Sequence, residues 1–303
     1  MKIAVIMSTY NGEKYLAEQI DSILNQQNIE IELFIRDDGS KDNTRAILKQ
    51  YSNERENVHI ECGENLGFAK SFISMLRDAG DYDYYAFSDQ DDFWEKNKLA
   101  AAIEKLEETI GGSKKPVLYY SNLNVSNANL EVLKRTKLEK RKRTLESTFM
   151  RRSVAGCTMV LNKRLKQLLY EKTLSDDVLV RGHDSFIHSL CYSVKGEVVV
   201  DENAYIKYRQ HTDNTSGSSD GVIKRVKKEV RDISRHRGGE SILASEIIKN
   251  WKIAEEEKNV LEVISNSQKN ILARFKIFFS PAYVTGDIRL TILGKVKYLF
   301  GIM

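Results

Sequence analysis

The residues best suited to chemistry lie in Ser88-Asp89-Gln90-Asp91-Asp92-Phe93-Trp94, where three carboxylates occupy four positions. They follow the apolar run Tyr84-Tyr85-Ala86-Phe87, which reads as a buried strand. Like charges this close repel, and no Lys or Arg intervenes to pair them. A divalent cation with oxygen ligands relieves the conflict and keeps free positions for substrate phosphates. The cluster therefore points to a metal–diphosphate site. A plainer alternative is an acidic loop capping the helix that starts near Glu95. Asp92 alone suffices for that cap, which leaves Asp89 and Asp91 unexplained.

Other strand ends carry weaker signals of the same kind. Ser8-Thr9-Tyr10-Asn11-Gly12 offers a hydroxyl, an aromatic face for a nucleobase and a flexible turn, or simply a helix cap at Asn11. Arg36-Asp37-Asp38-Gly39-Ser40 offers a carboxylate for a base or ribose, or an Asp-Gly turn. Asn65-Leu66-Gly67-Phe68-Ala69-Lys70 reads as a helix start with an adjacent cation, suited to anions. There is no G-x-G-x-x-G and no G-K-[ST] after glycines, which disfavours a dehydrogenase and a P-loop enzyme. Trp94 is a candidate sugar platform or a core residue.

The elements that must position these residues alternate regularly. Strands are expected at 3–7, 31–36, 58–62 and 84–87, with helices at 13–27, 42–51, 65–76 and 95–109 between and after them. Such repetition means an α/β fold, a mostly parallel sheet flanked by helices. Later strands are expected at 117–120 and 156–161, and paired strands at 197–201 and 205–208. Residues 121–150 read as a polar, then basic, loop with short elements. Helices are expected through Tyr170 and from His183 to Tyr192, and the chain is helical and charged from about Asp220. A soft boundary near 216–221 divides a catalytic domain, 1–217, from a basic helical extension, 218–303.

Composition sets limits. At 303 residues, 41% hydrophobic and 30% charged, the chain can bury a sizeable core. A net charge of +4 is too small to argue for nucleic acid, and the basic runs at 134–152 and 224–237 are readable as solvated faces. Cys62, Cys157 and Cys191 are widely spaced and odd in number, so each reads as a small buried residue in a reducing compartment. Met1 to Met7 is too short for a signal-peptide core, and no apolar stretch reaches the ~18 residues of a spanning helix.

Taken in order, Ser8-Thr9-Tyr10-Asn11, Asp37-Asp38-Gly39-Ser40, Asn65-Leu66-Gly67, the D-x-D at Asp89 and Asp91, and Gly182-His183-Asp184 resemble the family 2 inverting glycosyltransferases, which have the GT-A fold. The resemblance covers about residues 1–215. It implies a nucleoside-diphosphate sugar donor and Mg²⁺ or Mn²⁺ as cofactor. Asp89 would hold the ribose and Asp91 the metal, with Thr9, Tyr10, Asn11, Asp38, Asn65, Gly67 and Lys70 around the nucleotide. Asp92 departs from the pattern and either shares the metal or caps the next helix. Asp184 matches the carboxylate that takes the acceptor hydroxyl proton in a single in-line displacement. Without the resemblance, it would be a helix cap favoured by the dipole. His183 and Trp94 are candidate acceptor contacts.

Tyr208-Arg209-Gln210-His211 with Asn214, Ser216 and Gly217 resembles a loop of the rhamnosyltransferase-like branch that builds bacterial surface polysaccharides. Carried over, Arg209 faces the leaving diphosphate and His211 is a metal or phosphate ligand. The implied donor is dTDP-rhamnose, with UDP-hexoses next. The implied acceptor is a glycan or a polyprenyl-linked chain of cell wall or capsule. A sugar nucleotidyltransferase and a non-catalytic subunit of an assembly complex are the rival readings. Residues 271–303 mix Phe, Leu and Tyr with Arg and Lys, which fits a helix in an anionic membrane interface or packing against a partner such as a second copy. The expected location is cytoplasmic, peripheral at the inner face of the cell membrane.

Overall fold

The computed structural model describes residues 1–110, 115–150, 154–172, 175–210 and 238–303. Two compact units emerge: Met1–Leu138 with Val154–Glu171 and Glu197–His211, and Glu139–Ser153 with Lys172–Gly196 and Thr212–Met303. They interleave along the chain. The boundary expected near 216–221 lies outside the described residues.

The first unit is built on β1 (Lys2–Thr9), α1 (Leu16–Leu24), β2 (Glu30–Asp37), α2 (Thr44–Glu54), β3 (Val58–Cys62), α3 (Phe68–Asp78) and β4 (Tyr84–Ser88). Ile3, Ala4, Val5, Ile6 and Met7 are all fully buried, as are all five residues of β4. A strand apolar on successive positions is covered on both faces, as in a parallel sheet. β1 pairs in parallel with β2 on one side and β4 on the other, and β2 pairs in parallel with β3. Register places Thr9 opposite Asp37, Asp37 opposite Cys62, and Met7 opposite Ser88. The C-terminal ends of all four strands thus share one edge. In such a sheet the crevice for ligands opens where the strand order reverses, here between β1 and β4.

Beyond β4 the sheet changes character. β5 (Phe93–Trp94), α4 (Lys98–Ile110), β6 (Val117–Ser126), β7 (Val132–Arg135), β8 (Val160–Asn162), α6 (Lys163–Leu169) and β9 (Glu197–Arg209) complete the unit. β8 is antiparallel to both β4 and β6, β6 is parallel to β9, and β5 is antiparallel to β9. Three expectations need correction. The two strands expected at 197–201 and 205–208 are one strand, β9, whose register slips along β6. Gly156–Thr158 is a helical turn, and only Val160–Asn162 pairs as a strand. β6 runs on to Ser126 and β7 pairs with it, where a loop was expected.

The second unit is helical: α5 (Leu145–Met150), α7 (His183–Ser193), α8 (Gly239–Asn250), α9 (Glu255–Asn266), α10 (Ile271–Phe279) and α11 (Ile288–Leu299). Tyr298 is buried and donates its hydroxyl to the Phe149 carbonyl at 3.0 Å, fastening α11 to α5. No helix among the described residues is long and apolar enough to cross a membrane.

Candidate active site

The acidic loop 89–92 joins the end of β4 to β5, and both sides of it are tied down. On one side Gln90, the spacer of the D-x-D, reaches the end of β1. Its Oε1 accepts the Thr9 hydroxyl at 2.6 Å and the Tyr10 N–H at 2.8 Å, and its Nε2 donates to the Tyr10 carbonyl at 3.2 Å. Gly12 makes room for this latch, since a Cβ there would stand 2.6 Å from Gln90 Oε1. On the other side Arg209, the last residue of β9, clamps the loop. Its backbone N–H donates to Asp92 Oδ1 at 3.1 Å, and its Nε to the Asp91 carbonyl at 2.8 Å. The guanidinium also bonds Glu18 and the Ala128 carbonyl, and lies 4.2 Å from the Tyr15 ring centre.

Beneath the loop is a buried polar cluster. Ligand atoms of Asp89, Asp92 and Cys157 lie within 4.8 Å of one another. Asp92 is fully buried, and its Oδ2 has no hydrogen-bond partner among the described residues. Burial, and then the charges of Asp89 and Asp91, push its carboxyl well above the usual range. Burial likewise raises the Cys157 thiol. Lys98 lies at the start of α4, its Nζ 3.5 Å from the Trp94 ring centre, and burial lowers its pKa to about 7. Within this group Asp89 and Asp92 are oxygen donors of the kind a hard divalent cation takes, and the Cys157 thiol, held protonated by burial, is not. The convergence runs through Asp92, for which the sequence left open a share in the metal or a helix cap. Asp91 is half-buried at the rim and outside this group.

Several residues expected to meet ligand turn inward instead. Asp38 is 2% exposed, and its two oxygens accept the Leu66 and Gly67 N–H groups, each at 2.9 Å. It shapes the turn before α3 rather than facing a base. The Thr9 hydroxyl is buried on Gln90. Arg209 is 3% exposed, with the internal partners given above, so the diphosphate contact expected of it is replaced by a positioning role. Trp94 is fully buried and packs in the core, and His183 is buried on α7; neither is an acceptor contact. Burial lowers the His183 pKa to about 3, so its imidazole is neutral. Cys62 is exposed, against expectation, whereas Cys157 and Cys191 are buried.

What the first unit presents at the strand ends is therefore a shorter set. Tyr10 is 45% exposed, directly beside the Gln90 latch. Asn11 is exposed with φ +50°, its N–H on the Ser40 hydroxyl and its Oδ1 accepting the Lys41 N–H. Asn65, Gly67 and Lys70 are exposed at the start of α3, and Asp89 is half-buried. In the second unit Asp184 is half-buried in the first turn of α7, and its Oδ1 accepts the Ser185 N–H at 2.7 Å. His211 lies outside the described residues.

Gln90, Cys157 and Lys98 were missed as contributors. Gln90 stood in plain view, but a spacer carries no role until the strand ends are side by side. Cys157 and Lys98 gave no signal, because only the fold brings them near the acids.

A mostly parallel sheet flanked by helices, with a latched acidic loop at its carboxyl edge, is the GT-A architecture. The chain belongs to Glycosyl transferase family 2, whose profile matches residues 4–164. It is 29% identical over 228 residues to the dTDP-rhamnosyl transferase RfbG of Shigella flexneri, covering 70% of this chain and 74% of that protein. The putative teichuronic acid biosynthesis glycosyltransferase TuaG of Bacillus subtilis (strain 168) is 37% identical over 107 residues, 35% of this chain and 42% of TuaG. Among solved structures, S. aureus TarS 1-349 in complex with UDP superimposes with a TM-score of 0.61 at 19% identity, over 100% of this chain and 89% of that one. The chain is thus a glycosyltransferase.

Proposed function

We propose that this enzyme transfers a sugar, with inversion, from a nucleoside-diphosphate donor to a hydroxyl of a growing or polyprenyl-linked surface polysaccharide. Rhamnose from dTDP-rhamnose is the first choice of donor, and a UDP-hexose the second. The observation that carries the reading is the acidic loop latched by Gln90 to Tyr10 at the carboxyl edge of the sheet. The descriptions of RfbG as a dTDP-rhamnosyl transferase and of TuaG in teichuronic acid biosynthesis support donor and product class.

In this reading Tyr10 stacks on the base, and Asn11, Asn65, the Gly67 backbone and Lys70 line the nucleotide. Asp89 takes the ribose. Asp91 would hold Mg²⁺ or Mn²⁺ as the family resemblance implies, and the converging carboxylates of Asp89 and Asp92 would be the second oxygen donor set open to that ion. Such an ion offsets charge on the departing diphosphate. Asp184 takes the proton of the acceptor hydroxyl from its place in the first turn of α7. His211 remains a proposed phosphate or metal contact. The enzyme works in the cytoplasm, peripherally at the inner face of the cell membrane.

The test is a panel of nucleotide sugars screened for nucleotide release with and without EDTA. Release from dTDP-rhamnose that EDTA abolishes supports the reading. Full activity in EDTA overturns the metal assignment, and pyrophosphate release from a nucleoside triphosphate and a sugar phosphate would favour a nucleotidyltransferase.

A further inference from the structure

The last two helices carry an apolar face that is turned to solvent. On α10, Ile271, Leu272, Phe275 and Phe279 are 59%, 72%, 41% and 73% exposed. Their spacing of i, i+1, i+4 and i+8 puts them on one face, opposite the buried Ala273 and Ile277. α11 repeats the arrangement. Ile288, Ile292 and Leu293 are exposed, while Thr291, Gly294 and Tyr298 are buried. Phe300, just past its end, is 66% exposed. Nine of the sixteen exposed large hydrophobic residues among the described residues fall in this short stretch. Apolar residues this concentrated on a surface mark a contact with something apolar.

Charge says what kind of contact. Residues 271–303 contain Arg274, Lys276, Arg289, Lys295 and Lys297 against a single acid, Asp287. Lys276 and Arg289 are exposed beside the apolar face. Two copies meeting through this face would set cations against cations. An anionic bilayer meets both features at once, with headgroups for the cations and acyl chains for the Phe, Leu and Ile side chains. Phe275 and Phe279 stack at 6.1 Å, forming a broad aromatic wedge of the sort that suits the headgroup boundary. At nine and twelve residues, both helices fall well short of the roughly 20 needed to span.

We propose that α10 and α11 form a membrane-docking surface for anionic lipid, inserted only to side-chain depth. The inference gives a surface to the peripheral location proposed above but rests on these two helices alone, and a failed donor assignment leaves it standing.

Flotation of the full chain with vesicles tests it. The chain is expected to float with phosphatidylcholine vesicles containing phosphatidylglycerol at low salt, and to stay down with phosphatidylcholine alone. The variant Leu272→Asp/Phe279→Asp/Ile292→Asp should lose flotation, while Leu133→Asp, on exposed β7, should keep it. Lys276→Glu/Arg289→Glu should weaken partitioning by roughly tenfold or more, because each basic residue near such a surface contributes measurably. Thermal melts confirm that the exposed-site variants are folded. A wild-type chain that stays down with anionic vesicles at low salt overturns the proposal, as does a triple variant that floats like wild type. A dimer that the triple variant converts to monomer, with no vesicle binding, would assign the face to a second copy instead.

Discussion

Two helix starts, one in each unit, use the same backbone device for different ends. α3 begins after Gly67 at φ 81°, ψ 145°, and α7 after Gly182 at φ 96°, ψ 157°. Both lie in a region open essentially to glycine alone. At α3 the turn is exposed and is held by Asp38 through the N–H groups of Leu66 and Gly67. In the proposed reading it offers backbone and Lys70 to an anion. At α7 the turn is buried, His183 points inside, and Asp184 is the residue left half-exposed. The glycine sets the direction of the helix, and its neighbours decide what the start presents, backbone and Lys70 at α3 and the Asp184 side chain at α7.

The sharpest test of that contrast is Asp184→Asn. If α7 delivers the base, turnover should fall by about 10²–10⁴ while nucleotide affinity is unchanged. Loss of donor affinity with turnover preserved would make α7 a second binding turn and erase the contrast. Next comes the latch of the first unit. Gln90→Leu leaves the Thr9 hydroxyl and Tyr10 N–H without their partner, at about 1–3 kcal/mol for the buried Thr9 hydroxyl, while the Tyr10 N–H is open to water. Donor affinity is expected to fall roughly tenfold or more. An unchanged donor KM would mean that Tyr10 needs no latch.

The two units should also answer pH differently. In the second, burial lowers both His183 and His188 to about 3. An unfolded imidazole takes its proton near 6.5, so the unfolded state binds more protons below that, and stability falls as pH drops from 6.5 toward 3. His188→Asn should make that fall shallower by about 1.4 kcal/mol per pH unit. In the first, Lys98 titrates at about 7 when folded. The unfolded chain keeps that proton to about 10.4, so stability rises by about 1.4 kcal/mol per pH unit between those values. Lys98→Met should abolish that rise, and urea unfolding across pH 5–10 reads both effects. A variant with the wild-type slope would place either side chain in water.

The smallest effect expected is at Gly67 itself. A Cβ there meets no atom within 4 Å, so Gly67→Ala pays only backbone strain, about 1 kcal/mol. Gly182 is buried, so Gly182→Ala should cost more. Equal losses of thermal stability would show that the surroundings of the two turns do not matter.

Much of the first unit was legible because its strands are written locally. Ile3 to Met7 and Tyr84 to Phe87 are unbroken apolar runs, and the helices between them show apolar residues at helical spacing. The second half of the sheet was less legible. β9 was split in two because Glu202 and Asn203, both exposed, interrupt its pattern where the register slips. β5 is two residues long and exists only because β9 lies beside it.

The acids, hydroxyls and turns at the strand ends, and the alternation that gathers them on one edge, are local properties of the chain, carried by residue type and period. Which of them face a ligand is not. Asp38 and Asp91 are both carboxylates at strand ends, yet Asp38 spends its oxygens on the turn before α3, while Asp91 stays at the rim. Thr9 and Arg209 turn inward for the same reason. A buried polar group must find a partner, and the partners, Gln90 for Thr9 and the carbonyl of Asp91 for Arg209, come from 81 and 118 residues away. Only tertiary structure brings such pairs together, and so only tertiary structure separates the residues that build the site from those that face its ligand.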